Sequence, residues 1–156
     1  MGLDVTISGA AQIHALAKHI KELGDAGLGR EMARALSRAV DPIGKAINDE
    51  ATKVAPSGYV EALTRSLKHR RSVRNSRTQA SVRLTTSAKG KQENRDLPSL
   101  NAGRLRHPVF GHRRSPWQVT SIPSGFYDRG TKKAADEAEK QLLVVLDEFT
   151  QRLSEE

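Results

Sequence analysis

The residues with the most chemical potential lie in one short stretch at positions 105–117, which reads LRHPVFGHRRSPW. It contains two histidines, three arginines and the only tryptophan of the chain, and two prolines and a glycine interrupt it. Imidazoles bind metal ions, arginines bind phosphate, and aromatic rings stack on bases. The stretch therefore raises three alternatives: a metal site, a nucleic-acid reader, or a loop that docks against a protein neighbour.

The metal and catalytic alternatives lack further ligands and partners. His107 and His112 bracket a Pro-Val-Phe-Gly turn, and no carboxylate pair or third histidine lies nearby to complete a zinc or iron site. The chain has no cysteine, which excludes thiolate ligands and cysteine nucleophiles. It also lacks a G-x-S-x-G elbow, a P-loop and a G-x-G-x-x-G motif. We therefore expect no enzymatic activity, no metal and no cofactor.

Positive charge is concentrated in the middle of the chain. The net charge is +8, yet residues 65–114 hold fourteen lysines and arginines against two acids, while the remainder is slightly acidic. This asymmetry favours a polyanionic partner or an acidic protein surface, and the alternative is a solvated hairpin whose arginines face water. The predicted basic strand face comprises Arg65, Lys68, Arg70, Arg71, Arg74 and Arg83.

The elements that position these residues begin with a strand and helices. Residues 3–8 alternate apolar and polar side chains, which predicts a strand, and the next apolar pattern predicts a helix ending at Gly24. From Leu28 to Val54, apolar residues recur every three or four positions, which predicts a long helix. Because Pro42 removes a backbone hydrogen bond, we expect a bend there or two helices in series.

The middle of the chain has the composition of strands. Segments 65–74 and 79–87 are rich in Val, Thr and Arg and predict two antiparallel strands, with Val82 and Leu84 on one face and Arg83 on the other. Residues 88–101 are polar and predict an exposed, flexible loop.

The last third predicts two short strands and a helix. PVFGH and WQVTSI are expected to form strands around the turn HRRSP, and an apolar stripe from Lys132 onward predicts a C-terminal helix. The longest apolar run has five residues against the roughly 20 that a membrane span needs, so we expect no membrane contact.

Together these elements predict one α+β domain over residues 1–156. We expect an antiparallel sheet of about four strands, packed against a long kinked helix and the C-terminal helix, with a short N-terminal strand and helix.

Nucleic-acid binding is one functional reading of the basic middle. Lysines and arginines bind phosphates without reading bases, so non-specific proximity to DNA is expected. However, no aromatic residue lies between positions 60 and 109, and no helix-turn-helix or zinc-finger signature is present. A basic nucleic-acid-binding accessory protein is therefore kept as the alternative function.

A more specific pattern is the order of several motifs. A long helix ends at Ala-Pro-Ser-Gly (55–58), NAGRLRHPVFG follows at 101–111, then Trp117, then IPSGFYDR at 122–129 and a final amphipathic helix. Over about residues 28–153, this order resembles the small neck proteins of long-tailed bacteriophages, also called head–tail joining, tail completion or minor tail proteins.

The resemblance implies a structural virion protein with no cofactor. Such a protein would form a ring of six or twelve copies around the DNA conduit, repeating one heterologous interface until the ring closes. Its partners would be the adjacent connector or head-closure proteins and the tail terminator or tail-tube proteins. Its location would be the virion neck, after assembly in the host cytoplasm.

On this reading, LRHPVFGHRRSPW is a docking loop. The expected structural anchors are Val109, Phe110, Trp117 and Phe126. The expected assembly contacts are Arg104, Arg106, His107, His112, Arg113 and Arg114.

Overall fold

The computed structural model describes residues 3–7, 10–75, 80–88, 97–108 and 117–155. Six helices and five strands follow one another in these ranges, and the predicted α+β class is confirmed. In chain order they are β1 (Leu3–Ile7), α1 (Ala10–Glu22), α2 (Ala26–Arg38), α3 (Asp41–Val54), α4 (Val60–Ser66), β2 (Leu67–Asn75), β3 (Ala80–Ala88), α5 (Leu97–Asn101), β4 (Arg104–Pro108), β5 (Trp117–Ser121) and α6 (Phe126–Ser154).

The strands form two separate antiparallel sheets. The first has the order β1-β3-β2, and the second pairs β4 with β5. In the central strand β3, Val82, Leu84 and Thr86 are at most 1% exposed, whereas Arg83 on the other face is only half-buried. The predicted alternation of β3 is therefore confirmed, while the expected sheet of about four strands is divided into a three-stranded sheet and a two-stranded ribbon.

The long N-terminal helical pattern is two helices in series. Pro42 lies in the first turn of α3, where its missing N–H removes no helical hydrogen bond. The helical segment is therefore interrupted between α2 and α3, which confirms the expected alternative of two helices in series. The preceding helix, α1, is followed by Gly24 with φ of 73°, and the Asp25 side chain then caps α2 by accepting from Leu28 N at 2.9 Å.

Helix α3 contacts both strand β2 and helix α6. Towards the sheet it presents Gly44, where an added Cβ would lie 3.2 Å from the ring of His69 on β2. Towards α6 it presents Ile47, whose Cα would lie 2.6 Å from a Cβ added at Gly130. Helix α3 therefore links β2 to α6, and α1 and α2 also pack on the sheet and on α6. Ile43 and Ile47 of α3 are fully buried in the core.

Helix α6 approaches α3 closely because small residues lie at its contact face. Gly130, Ala134 and Ala138 recur every fourth position on the buried side, and Leu142 and Phe149 continue that side towards the C-terminus. The helix begins at Phe126 and not at the predicted Lys132. The first turns were missed because Gly130 interrupts the apolar stripe that begins with the buried residues Phe126 and Tyr127.

Three other boundaries differ from the prediction. Residues 60–66 form α4, so the strand predicted from residue 65 starts at Leu67. Residues 97–101 form α5, in which Leu97 and Leu100 are at most 1% exposed, so the prediction of an exposed loop is wrong for this segment. Residues 89–96 of the predicted loop lie outside the described ranges. Strand β4 begins at Arg104, ahead of the predicted PVFGH.

None of the helices in the described ranges is both long enough and apolar enough to cross a membrane.

Candidate functional site

The predicted docking loop is described only at its two ends. Arg104–Pro108 and Trp117–Ser121 pair as β4 and β5, from Arg104 opposite Ser121 to Pro108 opposite Trp117. Arg104 and Arg106 are exposed on one face of β4, while Leu105 between them is 8% exposed. For His107 and Trp117 only the backbone is described, and five predicted residues lie outside the described ranges. These are Val109, Phe110, His112, Arg113 and Arg114.

The base of this ribbon is held by a junction between Asn101 and the start of α6. Helix α6 begins after Gly125, which offers no side chain for capping. Asn101 supplies the cap from a distance: its Oδ1 accepts from Tyr127 N at 2.9 Å and its Nδ2 donates to Asp128 Oδ2 at 2.9 Å. Its backbone carbonyl also accepts from Gly125 N at 2.7 Å. The two halves of the motif pattern, 101–111 and 122–129, therefore meet in space.

Gly103 allows the close approach at this junction. Its φ is 89°, its carbonyl accepts from Ile122 N at 2.8 Å, and an added Cβ would lie 2.6 Å from the Ile122 carbonyl oxygen. No other residue type fits both the left-handed backbone and this distance. Phe126, one of the predicted structural anchors, is fully buried at this junction. We call the residues Asn101, Gly103, Ile122 and Gly125–Asp128 the ribbon junction.

Four cations share the outer face of the three-stranded sheet. The β2–β3 register sets Lys68, Arg70 and Arg74 opposite Ser87, Thr85 and Ser81, and Arg83 lies opposite Ser72. Along each strand these positions alternate with the buried residues that face the helices. All four side chains therefore project from the side of the sheet that is turned away from the helices. We call this set, Lys68, Arg70, Arg74 and Arg83, the basic sheet face.

The basic sheet face has little compensating negative charge. Lys68, Arg70 and Arg74 are exposed, and none of the ion pairs within the described ranges involves them. Asp4, which pairs with Thr85, is the one acid on this face among the described side chains. The Nε of Arg83 is buried without a hydrogen-bond partner in the described part of the chain.

Two residues predicted for the basic strand face do not belong to it. Arg65 lies on α4 and forms an ion pair with Glu61 one turn earlier. Arg71 lies on the inner face of β2, where both oxygens of Asp41 accept from its Nη1 at 3.0 Å. An inward-facing arginine is tolerated here because β2 is an edge strand, from which a long side chain reaches water.

His69 is a structural bridge between the sheet and α3. Its Nδ1 lies 2.9 Å from the Thr86 hydroxyl, and its Nε2 lies 3.0 Å from Asn48 Oδ1. Because the amide oxygen can only accept, Nε2 carries the hydrogen and Nδ1 accepts from the hydroxyl. Burial lowers the pKa of His69, which favours this neutral imidazole.

Glu50 is a buried acid that the sequence analysis did not identify. It lies on the face of α3 towards α6 and is 5% exposed. Its carboxylate accepts from Lys133 at 2.6 Å and from Arg129 at 3.2 Å, both on α6, and from Lys53 at 2.8 Å. Hydrogen bonds from Lys133 and Lys53, and then from Arg129, lower the pKa of Glu50 to about 2 although burial opposes the shift.

The Glu50 cluster also reaches the ribbon junction. The Nη1 of Arg129 donates to the Ser124 carbonyl at 2.5 Å, directly before Gly125. One buried carboxylate therefore fixes α6 to α3 and, through Arg129, the segment that leads from β5 into α6. Its anchoring role explains the cluster without any reaction chemistry.

The outer side of α6 is acidic and partly apolar. Leu143 and Val144 are 46% and 64% exposed, in a stretch whose buried side includes Ala138 and Leu142. Five exposed acids surround them, with Lys140 as the one cation between residues 136 and 148. We call this surface the acidic helix face; its acids are Asp136, Glu137, Glu139, Asp147 and Glu148.

Two grooves flank α1. One, of about 430 Å³, lies between α1 and α2 and is lined mainly by apolar residues such as Ile13, Ile20 and Met32. The other, of about 520 Å³, lies between α1 and the end of α6. Among the described residues, no group of three His, Cys, Asp or Glu side chains is placed to hold a metal ion.

Comparison of the chain with protein-family models, with curated proteins and with solved structures gave no match.

Proposed function

We propose that this chain is a structural protein of a bacteriophage neck. In this proposal it forms a homo-oligomeric ring of six or twelve copies around the DNA conduit and joins the head-closure complex to the tail tube. It has no catalytic site and no cofactor. The observation that carries the proposal is the ribbon junction, because it unites the two segments on which the resemblance to neck proteins rests.

The junction supports an assembly role because of what its residues do. Asn101 forms hydrogen bonds with the backbone at the start of α6, and the Gly103 carbonyl accepts from the Ile122 backbone. Gly103 and Gly125 supply the positive φ angles of the junction. They set where the β4–β5 ribbon leaves the body of the subunit. A ribbon fixed at its base, with Arg104 exposed on it, suits a docking element directed at a neighbouring ring.

The charge distribution also supports assembly. The subunit carries a basic sheet face and a separate acidic helix face with two exposed aliphatic side chains. Charged faces of opposite sign steer protein partners together and fix their register. A subunit that is completed by its neighbours in a virion is expected to have such surfaces.

The proposal is tested in particles assembled with altered forms of the chain. The double substitution Arg113→Ala and Arg114→Ala should leave folding intact and reduce the yield of joined heads and tails. The matched control is Arg34→Ala with Arg38→Ala, because both arginines are exposed on α2, away from the ribbon. Normal particle yield from the first double variant would refute the contact role of the ribbon.

A second candidate, a basic nucleic-acid-binding accessory protein, is favoured by the basic sheet face alone. Several phosphate contacts would make DNA affinity fall more than about tenfold between roughly 50 and 200 mM salt. Arg70→Glu with Arg74→Glu should then abolish binding, and the α2 pair should not. Absence of DNA binding by the wild-type chain at low salt would eliminate this candidate.

A further inference from the structure

The two charged faces belong to different elements, the three-stranded sheet and α6, and each lies on the exposed side of its element. Helix α3 contacts β2 through Gly44 and Asn48, and it contacts α6 through Ile47 and Glu50. The basic sheet face projects from the side of the sheet away from the helices, and the acidic helix face is the exposed side of α6, where Asp147 also borders the groove next to α1. One copy of the chain can therefore offer its basic face to one neighbour and its acidic face to another.

The two faces also match in length. Along β2, Lys68 and Arg74 are six residues apart, or about 20 Å at the rise of a strand. Along α6, Asp136 and Glu148 are twelve residues apart, or about 18 Å at the rise of a helix. Asp136, Leu143 and Asp147 share one stripe of α6, with Glu137 and Glu148 on one flank of it and Glu139 on the other. The acids therefore form a band about as long as the row of cations.

Apolar contact is available between the same two faces. Leu143 and Val144 are the exposed large aliphatic residues of the acidic helix face. The aliphatic stems of Lys68, Arg70 and Arg74 can cover them while the charged heads reach the flanking acids. The described outer-face side chains of the sheet include no aromatic ring to stack on a base, which favours a protein occupant over a single-stranded nucleic acid.

We propose that the basic sheet face of one copy docks on the acidic helix face of the next copy, so that a second copy of this chain is the partner of both surfaces. Each contact joins unlike faces, and in this proposal the basic face of a copy meets one neighbour and its acidic face meets another, so the contact is head-to-tail. Repetition of such a contact closes into a ring when the rotation per copy allows it. This inference rests on the ring of the proposed function and assigns the two surfaces that build it.

The test uses charge reversal on each face of the full chain, followed by sedimentation and electron microscopy at about 50 mM salt. The sheet variant is Arg70→Glu with Arg74→Glu, and the helix variant is Asp136→Lys with Asp147→Lys. All four residues are exposed, and no ion pair or hydrogen bond within the described ranges involves their side chains. Each variant alone should weaken self-association by on the order of a hundredfold or more, because like charges then face each other.

Restoration of the complementary charges provides the decisive arm. An equimolar mixture of the two variants should recover the assembly, because an acidic sheet face then meets a basic helix face and each unaltered face meets its normal counterpart. The chain carrying all four substitutions should also self-associate. The control Arg34→Glu with Arg38→Glu changes the same charge on α2 and should leave association unchanged.

Each other outcome overturns the assignment of these surfaces. If the wild-type chain forms rings that both variants retain, the surfaces are wrong while the neck proposal stands. If the sheet variant loses DNA binding and keeps self-association, the sheet face serves nucleic acid. If the wild-type chain stays monomeric at tens of micromolar in low salt, this contact does not exist, and the neck function is judged separately by the presence of the chain in particles.

Discussion

The contact between α3 and α6 leads to a quantitative prediction at Gly130. A Cβ at this position would lie 2.6 Å from Ile47 Cα, 2.7 Å from Ile47 N and 2.9 Å from the Ala46 carbonyl carbon. Carbon atoms in contact normally lie about 3.5–4.0 Å apart. All three neighbours are backbone atoms of a helix, so no side-chain rotation relieves the clash. Gly130→Ala must therefore move the two helices apart by about 1 Å.

The expected cost follows from two opposing effects. Overpacking of a close contact costs about 1–3 kcal/mol, and the absence of a flexible neighbour favours the upper part of that range. Alanine stabilises a helix interior relative to glycine by about 0.8–1.0 kcal/mol. We expect Gly130→Ala to lower the free energy of unfolding by about 1–2 kcal/mol.

Gly29→Ala is the matched control for this prediction. Gly29 also lies inside a helix, but an added Cβ there would meet only Ile20 Cγ2, at an ordinary 3.5 Å. It should be neutral or stabilising by up to about 1 kcal/mol. The assay is urea unfolding of both variants at a protein concentration where the chain is monomeric. If Gly130→Ala proves as stable as Gly29→Ala, the close packing of α6 on α3 is refuted.

Three further predictions concern polar groups of the body. Asn101→Ala should lower the unfolding free energy by about 0.5–2 kcal/mol through loss of the α6 cap, as measured by urea unfolding, and an unchanged midpoint would contradict the capping role. The lowered pKa of His69 means that the unfolded chain binds the extra proton first, so stability should decline as pH falls below about 6.5, and His69→Gln should flatten that decline. The pKa of Glu50, lowered to about 2, contributes stability that is complete above the ordinary carboxyl value of about 4.3 and is lost as pH falls towards 2. Glu50→Gln should remove this part of the acid unfolding curve, and a curve identical to that of the wild type would show that the ion pairs do not stabilise the fold.

The elements predicted well from the sequence are those with a complete local pattern. The helical periodicity gives α1, α2 and α3, and Pro42 marks the break that the structure has between the last two. Alternation gives β1 and assigns Val82 and Leu84 to the buried face of β3. In these segments burial alternates with the same period as the residue types, so the local pattern is sufficient.

The elements that were missed depend on tertiary contacts. Helices α4 and α5 are short, with seven and five residues, and owe their place to the burial of Leu63, Leu97 and Leu100. In the first turns of α6, Gly130 separates the buried Phe126 and Tyr127 from the rest of the apolar stripe, and its close packing on α3 is a tertiary contact. The strands also divide into a three-stranded sheet and a two-stranded ribbon. This division depends on which strands pair with each other, and the sequence of one strand does not specify its partner.

The polar sites show the same limit. Of the predicted basic strand face, alternation is sufficient for Arg83, but KHRRSVR carries charge on both faces of β2 and does not reveal that Arg71 turns inward to Asp41. Glu50 occupies a position of α3 that the helical periodicity assigns to the buried side, so its burial could have been predicted from the local sequence. Its partners Arg129 and Lys133 are 79 and 83 residues away along the chain, so the sequence could not show that this acid is paired.

The most direct test of the neck proposal is deletion of the gene for this chain from the phage that the proposal expects to carry it, followed by electron microscopy and mass spectrometry of the particles. The neck proposal predicts DNA-filled heads and free tails that do not join. It also predicts that complemented particles contain six or twelve copies of the chain between head and tail. Intact tailed particles formed in the absence of the chain would contradict it.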